Sequence, residues 1–177
     1  MPRKLKNIEL QRLSVEEFKD APKLPIKIVL DNVRSMNNVG SVFRTGDAFR
    51  IDHIYLCGIT PTPPHRDITK TAIGAENTVD WLYEKDVLNC IKTLQSEGYT
   101  IFGIEQTDQS TVLNKIDFNK FEKIALVFGN EIDGLHDDIV NECNYLIEIP
   151  QIGTKHSINV SVCAGILMWE AAKTKLK

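Results

Sequence analysis

Cysteine is scarce and unpaired. Cys57, Cys90, Cys143 and Cys163 are the four in the chain, and no two stand in a C-x-x-C pair. That spacing excludes zinc-ribbon and thioredoxin-like motifs and leaves free thiols as the expected state. Long hydrophobic runs are also missing: nothing approaches the roughly 18 apolar residues of a spanning helix, so no membrane is expected as a partner. The first residues, MPRKLKNIELQRL, are charged throughout and carry no apolar h-region, which excludes a secretory signal and makes cytoplasmic the expected location. There is no G-x-G-x-x-G, no G-x-x-x-x-G-K-[ST], no H-E-x-x-H and no G-x-S-x-G. The standard dinucleotide, phosphate-loop, zinc-protease and serine-hydrolase readings therefore fall away. His53, His65, His136 and His156 show no ligand spacing, and no metal is expected. His136-Asp137-Asp138 reads as a solvated helix start.

What is present is an ordinary globular balance. The 177 residues (20.0 kDa) are 42% hydrophobic and 25% charged. A chain of this mass can bury roughly 70% of its extended surface, enough for one core and one domain. The net charge of −3 is unevenly spread. Residues 1–75 hold 12 Lys and Arg against 8 Asp and Glu, whereas residues 76–177 hold 9 against 16. A basic front half suits either a local anion-binding face or an uneven solvated surface.

The pattern along the chain alternates. Residues 1–25 read as a basic N-terminal arm containing a short helix at Ser14–Asp20, with Ser14 and Glu17 as a capping box and Pro22 and Pro25 as stops. Strands are expected at Ile26–Asp31, His53–Gly58, Val79–Tyr83, Tyr99–Gln106, Lys123–Gly129 and Tyr145–Pro150. Helices are expected after the first strand, on the Val39/Val42/Phe43/Phe49 face, and at Asp86–Glu97, Leu135–Asn141 and Ile158–Lys175, with Gly98 as a stop. Ile59–Asp67, with three prolines in nine residues, is expected to be irregular. Alternation of this kind means an α/β domain over 26–177, with a parallel sheet and helices on both faces.

In such sheets ligands sit at the carboxyl ends of strands. Three segments there are rich in small and polar residues: Asn37–Asp47, Gly129–Gly134 and Gly153–Ser161. In the first, Asn and Gly ahead of a helix would leave N–H groups for an anion, and Arg44, one turn past Gly40, would reach back over that end. An Asn cap with a surface Arg accounts for the same residues. In the second, Gly129 permits close approach of backbone to ligand, and Glu131 can fix the loop or a polar substrate atom; an ordinary acidic turn is the alternative. In the third, Ser157, Asn159 and Ser161 are more than one helix cap needs, although polar helix starts are common. Val162–Ala172 reads as core, with Gly165 allowing close helix packing. His65-Arg66-Asp67 suits either a phosphate contact or a plain surface loop.

Taken in order, these segments resemble the three motifs of the SPOUT superfamily, and within it the TrmH (SpoU) RNA ribose 2′-O-methyltransferases. Asn38, Gly40, Arg44 and Thr45 match an N-x-G-x-x-x-R-T run. LVFGNEIDGL (Leu126–Leu135) matches a strand ending in G-x-E-x-x-G. IPQIGTKHSINVS (Ile149–Ser161) matches an I-P strand end followed by S-[LI]-N-V-S, with Ile158 where Leu is usual. The match spans about residues 26–175.

The resemblance implies a C-terminal deep trefoil knot, against the usual topology rules. It also implies a homodimer with its active site built across the interface, and S-adenosylmethionine held in the knot by Gly129, Ile149 and Ile158. The catalytic set it implies is Arg44, Asn38, Glu131, Ser157 and Asn159. The reaction would be methyl transfer to a ribose 2′-hydroxyl of structured RNA. A guanidinium is always protonated, so Arg44 is expected to orient the 2′-oxygen and stabilise its developing charge rather than act as a literal base. Asn38 would hold Arg44 or a phosphate, Glu131 would orient the loop and Arg44, and Ser157 and Asn159 would place the target nucleotide. The basic arm (Arg3, Lys4, Lys6, Arg12) with Arg34, Arg50, Arg66 and Lys70 would meet RNA phosphates. With no extra RNA-binding domain beside the core, tRNA is favoured over rRNA as the partner. The competing reading is a non-catalytic RNA-binding module that retains the knotted fold.

Overall fold

The structure, a computed structural model, describes residues 1–176. The arm carries a 3-10 turn at Asn7–Leu10 and helix α1 (Val15–Asp20). The expected capping box is formed: the Glu17 N–H donates to Ser14 Oγ at 3.2 Å, and the Ser14 N–H donates to the Glu17 carboxylate at 2.7 Å. Phe18 of α1 is buried in the core and anchors the arm.

The domain then runs β1 (Leu24–Asp31), α2 (Met36–Phe49), β2 (Ile51–Cys57), α3 (Arg66–Ala72), β3 (Asp80–Glu84), α4 (Val87–Ser96) and β4 (Thr100–Ile104). It continues with β5 (Thr111–Val112), β6 (Ile124–Phe128), α5 (Asp137–Glu142), β7 (Tyr145–Glu148) and α6 (Val160–Ala172). The seven strands form one sheet in the order β3-β2-β1-β6-β4-β7-β5, and every neighbouring pair is parallel. The expected parallel α/β architecture is the one observed.

Both faces of the sheet are covered, which is why its strands read as continuous apolar runs. Alternate residues point to opposite sides. Ile28, Leu30, Ile54, Leu56, Leu126 and Phe128 pack with residues of α2, α3 and α6, among them Val42, Phe43, Ile68 and Leu167. Val29, Tyr55, Cys57, Ala125 and Val127 face Ile91 and Leu94 of α4 and Ile139 of α5. Each large apolar side chain buried this way contributes roughly 1.5–3 kcal/mol.

Five expectations change. Helix α2 begins at Met36, not after Gly40, because Ser35 supplies the cap: its hydroxyl accepts the Asn38 N–H at 3.3 Å. Gly40 is therefore a buried helical residue whose absent side chain lets α3 approach; a Cβ there would collide with Thr71 Oγ1 and the Ile68 carbonyl oxygen. The proline-rich run ends sooner than expected, and α3 follows it. Only Ile68 and Ala72 of α3 are buried, too few to show a helical period. The last helix is shorter at both ends than 158–175. It is core on one side only: Ala164, Leu167 and Met168 are buried, whereas Val162 and Trp169 are about half exposed. Gly165 has room beside it rather than a tightly packed helix; the nearest atom a Cβ would meet is Thr45 Cγ2, at 3.9 Å.

Candidate functional site

The sheet order places the first switch of direction between β1 and β6: the chain builds outward through β2 and β3, then returns past β1 to the other side. A crevice forms at the carboxyl ends of strands at such a point. The cleft lies beside that point, not at it: about 670 Å3 opens at the ends of β6, β4 and β7, and no residue of β1 lines it. That volume suits a ligand the size of a nucleoside derivative. Gly129, Glu131, Ile149, Ser157, Ile158 and Asn159 all line it.

Strand β6 ends at Phe128, and Gly129 opens the turn that follows. A Cβ on Gly129 would collide with the backbone of Gly134 and Leu135, so the turn folds back on itself only because this residue has none. Asn130 holds the turn from within: its side-chain oxygen accepts the N–H groups of Ile132 and Asp133, both at 2.9 Å. The Gly134 N–H donates to the Asn130 carbonyl at 3.1 Å. Glu131 and Ile132 are left exposed.

Two hydrogen bonds tie the three segments together. Asn38 Nδ2 donates to Glu131 Oε1 at 2.8 Å, and Asn159 Nδ2 donates to Asn38 Oδ1 at 3.2 Å. These residues are 93 and 121 positions apart in sequence. Asn159 also caps α6, its Oδ1 accepting the Ser161 N–H at 3.0 Å and the Ser161 hydroxyl at 2.7 Å. The Asn159 carboxamide thus uses its oxygen to start α6 and its nitrogen to reach α2.

Arg44 stands apart from this chain of side chains. It is exposed on α2, does not line the cleft, and has no hydrogen-bonding or ionic partner among the described residues. Six residues past Asn38, it lies about 9 Å along the helix axis from it. Ser157 is exposed at the rim. Ile149 and Ile158 are half-buried apolar walls.

Two residues of the site were not singled out from the sequence. Asn130 was hidden inside a turn motif. Glu105, at the end of β4, lines the cleft and its Oε2 accepts the Leu135 N–H at 2.8 Å. A lone Glu after a strand gives no pattern to find. Cys163 also lines the cleft, but burial, with the charge of Glu105 adding to it, pushes its thiol up to about 12. It therefore stays a neutral thiol and not a nucleophile at neutral pH. Among the described residues no three His, Cys, Asp or Glu side chains converge on a metal-holding arrangement.

The expected phosphate-facing set divides. Arg34, Arg66 and Lys70 are exposed, on the segment after β1 and on α3, which packs against α2. Arg3 is instead engaged by Glu9, with 3.0 and 2.7 Å contacts, and Arg50 caps the far end of α2 in a left-handed conformation. No described helix is long and apolar enough to cross a membrane.

Residues 25–169 match the SpoU rRNA Methylase family. An uncharacterized tRNA/rRNA methyltransferase of Borreliella burgdorferi is 32% identical over 171 residues, covering 94% of this chain and 73% of that protein. The 23S rRNA (guanosine-2′-O-)-methyltransferase RlmB of Neisseria meningitidis serogroup B is 28% identical over 152 residues, covering 86% of this chain and 60% of that protein. Among solved structures, the AdoMet-bound rRNA methyltransferase of Sinorhizobium meliloti superposes with a TM-score of 0.81 at 26% identity, over 90% of this chain and 61% of that one. The chain thus spans less than two thirds of the length of several relatives it matches.

Proposed function

The chain belongs to the SpoU rRNA methylase family, and from that premise we propose that it transfers a methyl group from S-adenosylmethionine to a ribose 2′-hydroxyl of structured RNA. The observation that carries this reading is the pair of hydrogen bonds joining Asn38 to Glu131 and to Asn159 at the mouth of the cleft. They bring three distant segments to one place, as a shared site requires.

The cleft fits the donor. Ile149 and Ile158 offer apolar walls for a purine, and the tight Gly129 turn offers backbone groups that need no side chain. When bound, S-adenosylmethionine would supply an activated methyl group on a sulfonium. The protein's share is alignment and charge. Asn38 is fixed from both sides by Glu131 and Asn159, so the N-terminal turn of α2 is held against the cleft. Arg44, exposed and without a partner among the described residues, would bind the RNA phosphate and steady the 2′-oxygen as its proton passes to solvent water and S-adenosylhomocysteine departs. Ser157, at the rim, would position the target nucleotide with Asn159.

In the same reading the protein works as a homodimer. Arg44 is absent from the lining of its own chain's cleft, and α2 packs against α6, which leaves Val162 and Trp169 exposed beside it. A second copy covering that apolar face would bring Arg44 of one protomer to the cleft of the other. The family's C-terminal knot is also part of this proposal. The sheet order is compatible with it: β6 and β7, late in sequence, insert between strands laid down earlier. Exposed Arg34, Arg66 and Lys70 would contact RNA phosphates. Transfer RNA is the first substrate to try, and 23S rRNA, on which the Neisseria relative acts by name, is the second.

The test is methyl transfer to RNA by Arg44→Ala, with donor affinity measured in parallel. Loss of one transition-state donor of this kind costs about 100- to 1,000-fold in rate. Donor affinity should not change. Near-normal turnover would remove Arg44 from the chemistry. A chain that binds RNA but never the donor would favour the non-catalytic module instead.

A further inference from the structure

Glu105 and Gln106, at the end of β4, touch two walls of the cleft. The Glu105 backbone N–H donates to the Ile147 carbonyl of β7 at 3.1 Å, which fixes the residue on the sheet. Its carboxylate then reaches the neighbouring turn, where Oε2 accepts the Leu135 N–H at 2.8 Å, while Oε1 accepts the Gln106 N–H at 2.9 Å. Leu135 itself is buried. The carboxylate therefore grips the point where the exposed Gly129–Gly134 turn re-enters the core.

Gly134 adopts φ of +66°, and a Cβ on it would fall onto the Glu105 carboxylate. Glu105 and Gly134 are thus a matched pair: the acid can lie flat against the turn only because residue 134 has no side chain. On the other wall, Gln106 Nε2 donates to the His156 carbonyl at 3.3 Å. One dipeptide on a rigid strand end ties down the turn after β6 and the segment after β7. The opposite end of the first turn is held by Asn38 through Glu131.

We propose that Glu105 is a positioning residue of the donor cleft, which sets the place of the Gly129–Leu135 turn, and that Gln106 does the same for the segment around His156. This rests on the donor-binding reading above. A turn held in its bound shape beforehand loses less freedom when the ligand arrives, so the effect falls on donor affinity rather than on the transfer step. Glu105 acts through the turn and not on the reacting atoms.

The experiment compares wild type, Glu105→Gln and Glu105→Ala in two measurements. The first is amide hydrogen exchange of residues 130–136 in the free protein, which needs no donor. The second is calorimetric titration with S-adenosylmethionine, followed by kcat and KM with RNA. Glu105→Ala should exchange Gly134 and Leu135 faster and bind the donor about tenfold more weakly, the loss of one hydrogen bond to a charged group. Its kcat at saturating donor should stay close to wild type. Glu105→Gln keeps an oxygen for the Leu135 N–H but sets its NH2 against the Gln106 N–H, and should fall between the two. If the alanine variant does not fold, the glutamine variant carries the test at smaller amplitude. Wild-type exchange across 130–136 in these variants would overturn the proposal, as would faster exchange with unchanged donor affinity. If the wild-type chain takes up no donor, the functional reading fails by itself, and the exchange result still decides whether Glu105 holds the turn.

Discussion

The two ends of the sheet use polar groups in opposite ways. Near the amino ends of the strands, Lys27 is almost enclosed, its side chain 8% exposed. Its ammonium lies 2.8 Å from Glu97, 3.9 Å from Asp52 and 3.4 Å from the Tyr55 hydroxyl, and 4.4 Å over the Tyr99 ring. Tyr99 donates in turn to Asp52 at 3.2 Å. Burial alone would lower the Lys27 ammonium, but the bond to Glu97, with help from Tyr55, raises it above the ordinary lysine range. Every charge here is answered within the chain. At the carboxyl ends, Glu131, Asn38 and Asn159 form an open chain of side chains, and Arg44 has no partner among the described residues. A closed cluster stabilises, whereas an open one leaves donors and charge for a ligand.

Substitutions at the two ends should therefore separate activity from stability. The largest effect is expected at the open end. Asn38→Asp would set a carboxylate against Glu131 and lower methyl transfer by about 100-fold, comparable to losing one oriented donor. Thermal unfolding should move little, because the group is part-exposed. Rate and melting temperature measured together would show it, and a large drop in stability with normal turnover would reverse the assignment of the two ends.

At the closed end, Glu97→Gln leaves the Lys27 ammonium buried without its nearest anion. The expected loss is about 1–2 kcal/mol, the low side for a broken buried pair, since Glu97 is 43% exposed. Turnover per folded molecule should not change. Lys27→Met, which removes the charge together with its need for a partner, should cost less; denaturant titration ranks the two.

A smaller effect concerns acid. Burial acts to raise the Asp52 carboxyl, but His53, Lys27 and Tyr99 together hold it below the usual carboxylate range. Its stabilising contribution is present above about pH 4 and is lost as pH falls through the depressed folded value. Asp52→Asn should remove that part of the acid dependence and leave the neutral-pH rate intact, as stability measured from pH 7 down to pH 2 would show. The smallest expected effect is on RNA affinity. Lys70→Ala, which removes one exposed phosphate contact, should reduce the steepness of the salt dependence by about one contact without changing kcat.

The sheet was readable from the sequence because both its faces are covered. Continuous runs such as IKIVLD and KIALVF need no partner to announce themselves, and Gly98 stopped α4 where its left-handed conformation requires. Asn38, Glu131 and Asn159 stood out in the sequence as polar loop residues, and the structure brings them together. Four things were not readable. The start of α2 depended on a Ser35 cap, so Gly40 looked like part of a loop when it is a packing position against α3. Helix α3 buries too few residues to show a period. Glu105 and Lys27 take their meaning from partners 30 and 70 residues away, and local spacing carries no trace of such pairs.

The most direct test of the site is a calorimetric titration of the wild-type chain and of Gly129→Ala with S-adenosylmethionine. Saturable binding of one donor per chain is expected for the wild type. It should be abolished in the variant, whose added methyl group would push the turn off Gly134 while the sheet stays folded. No saturable heat from the wild-type chain, or equal affinity in both proteins, would contradict the placement of the donor in this cleft.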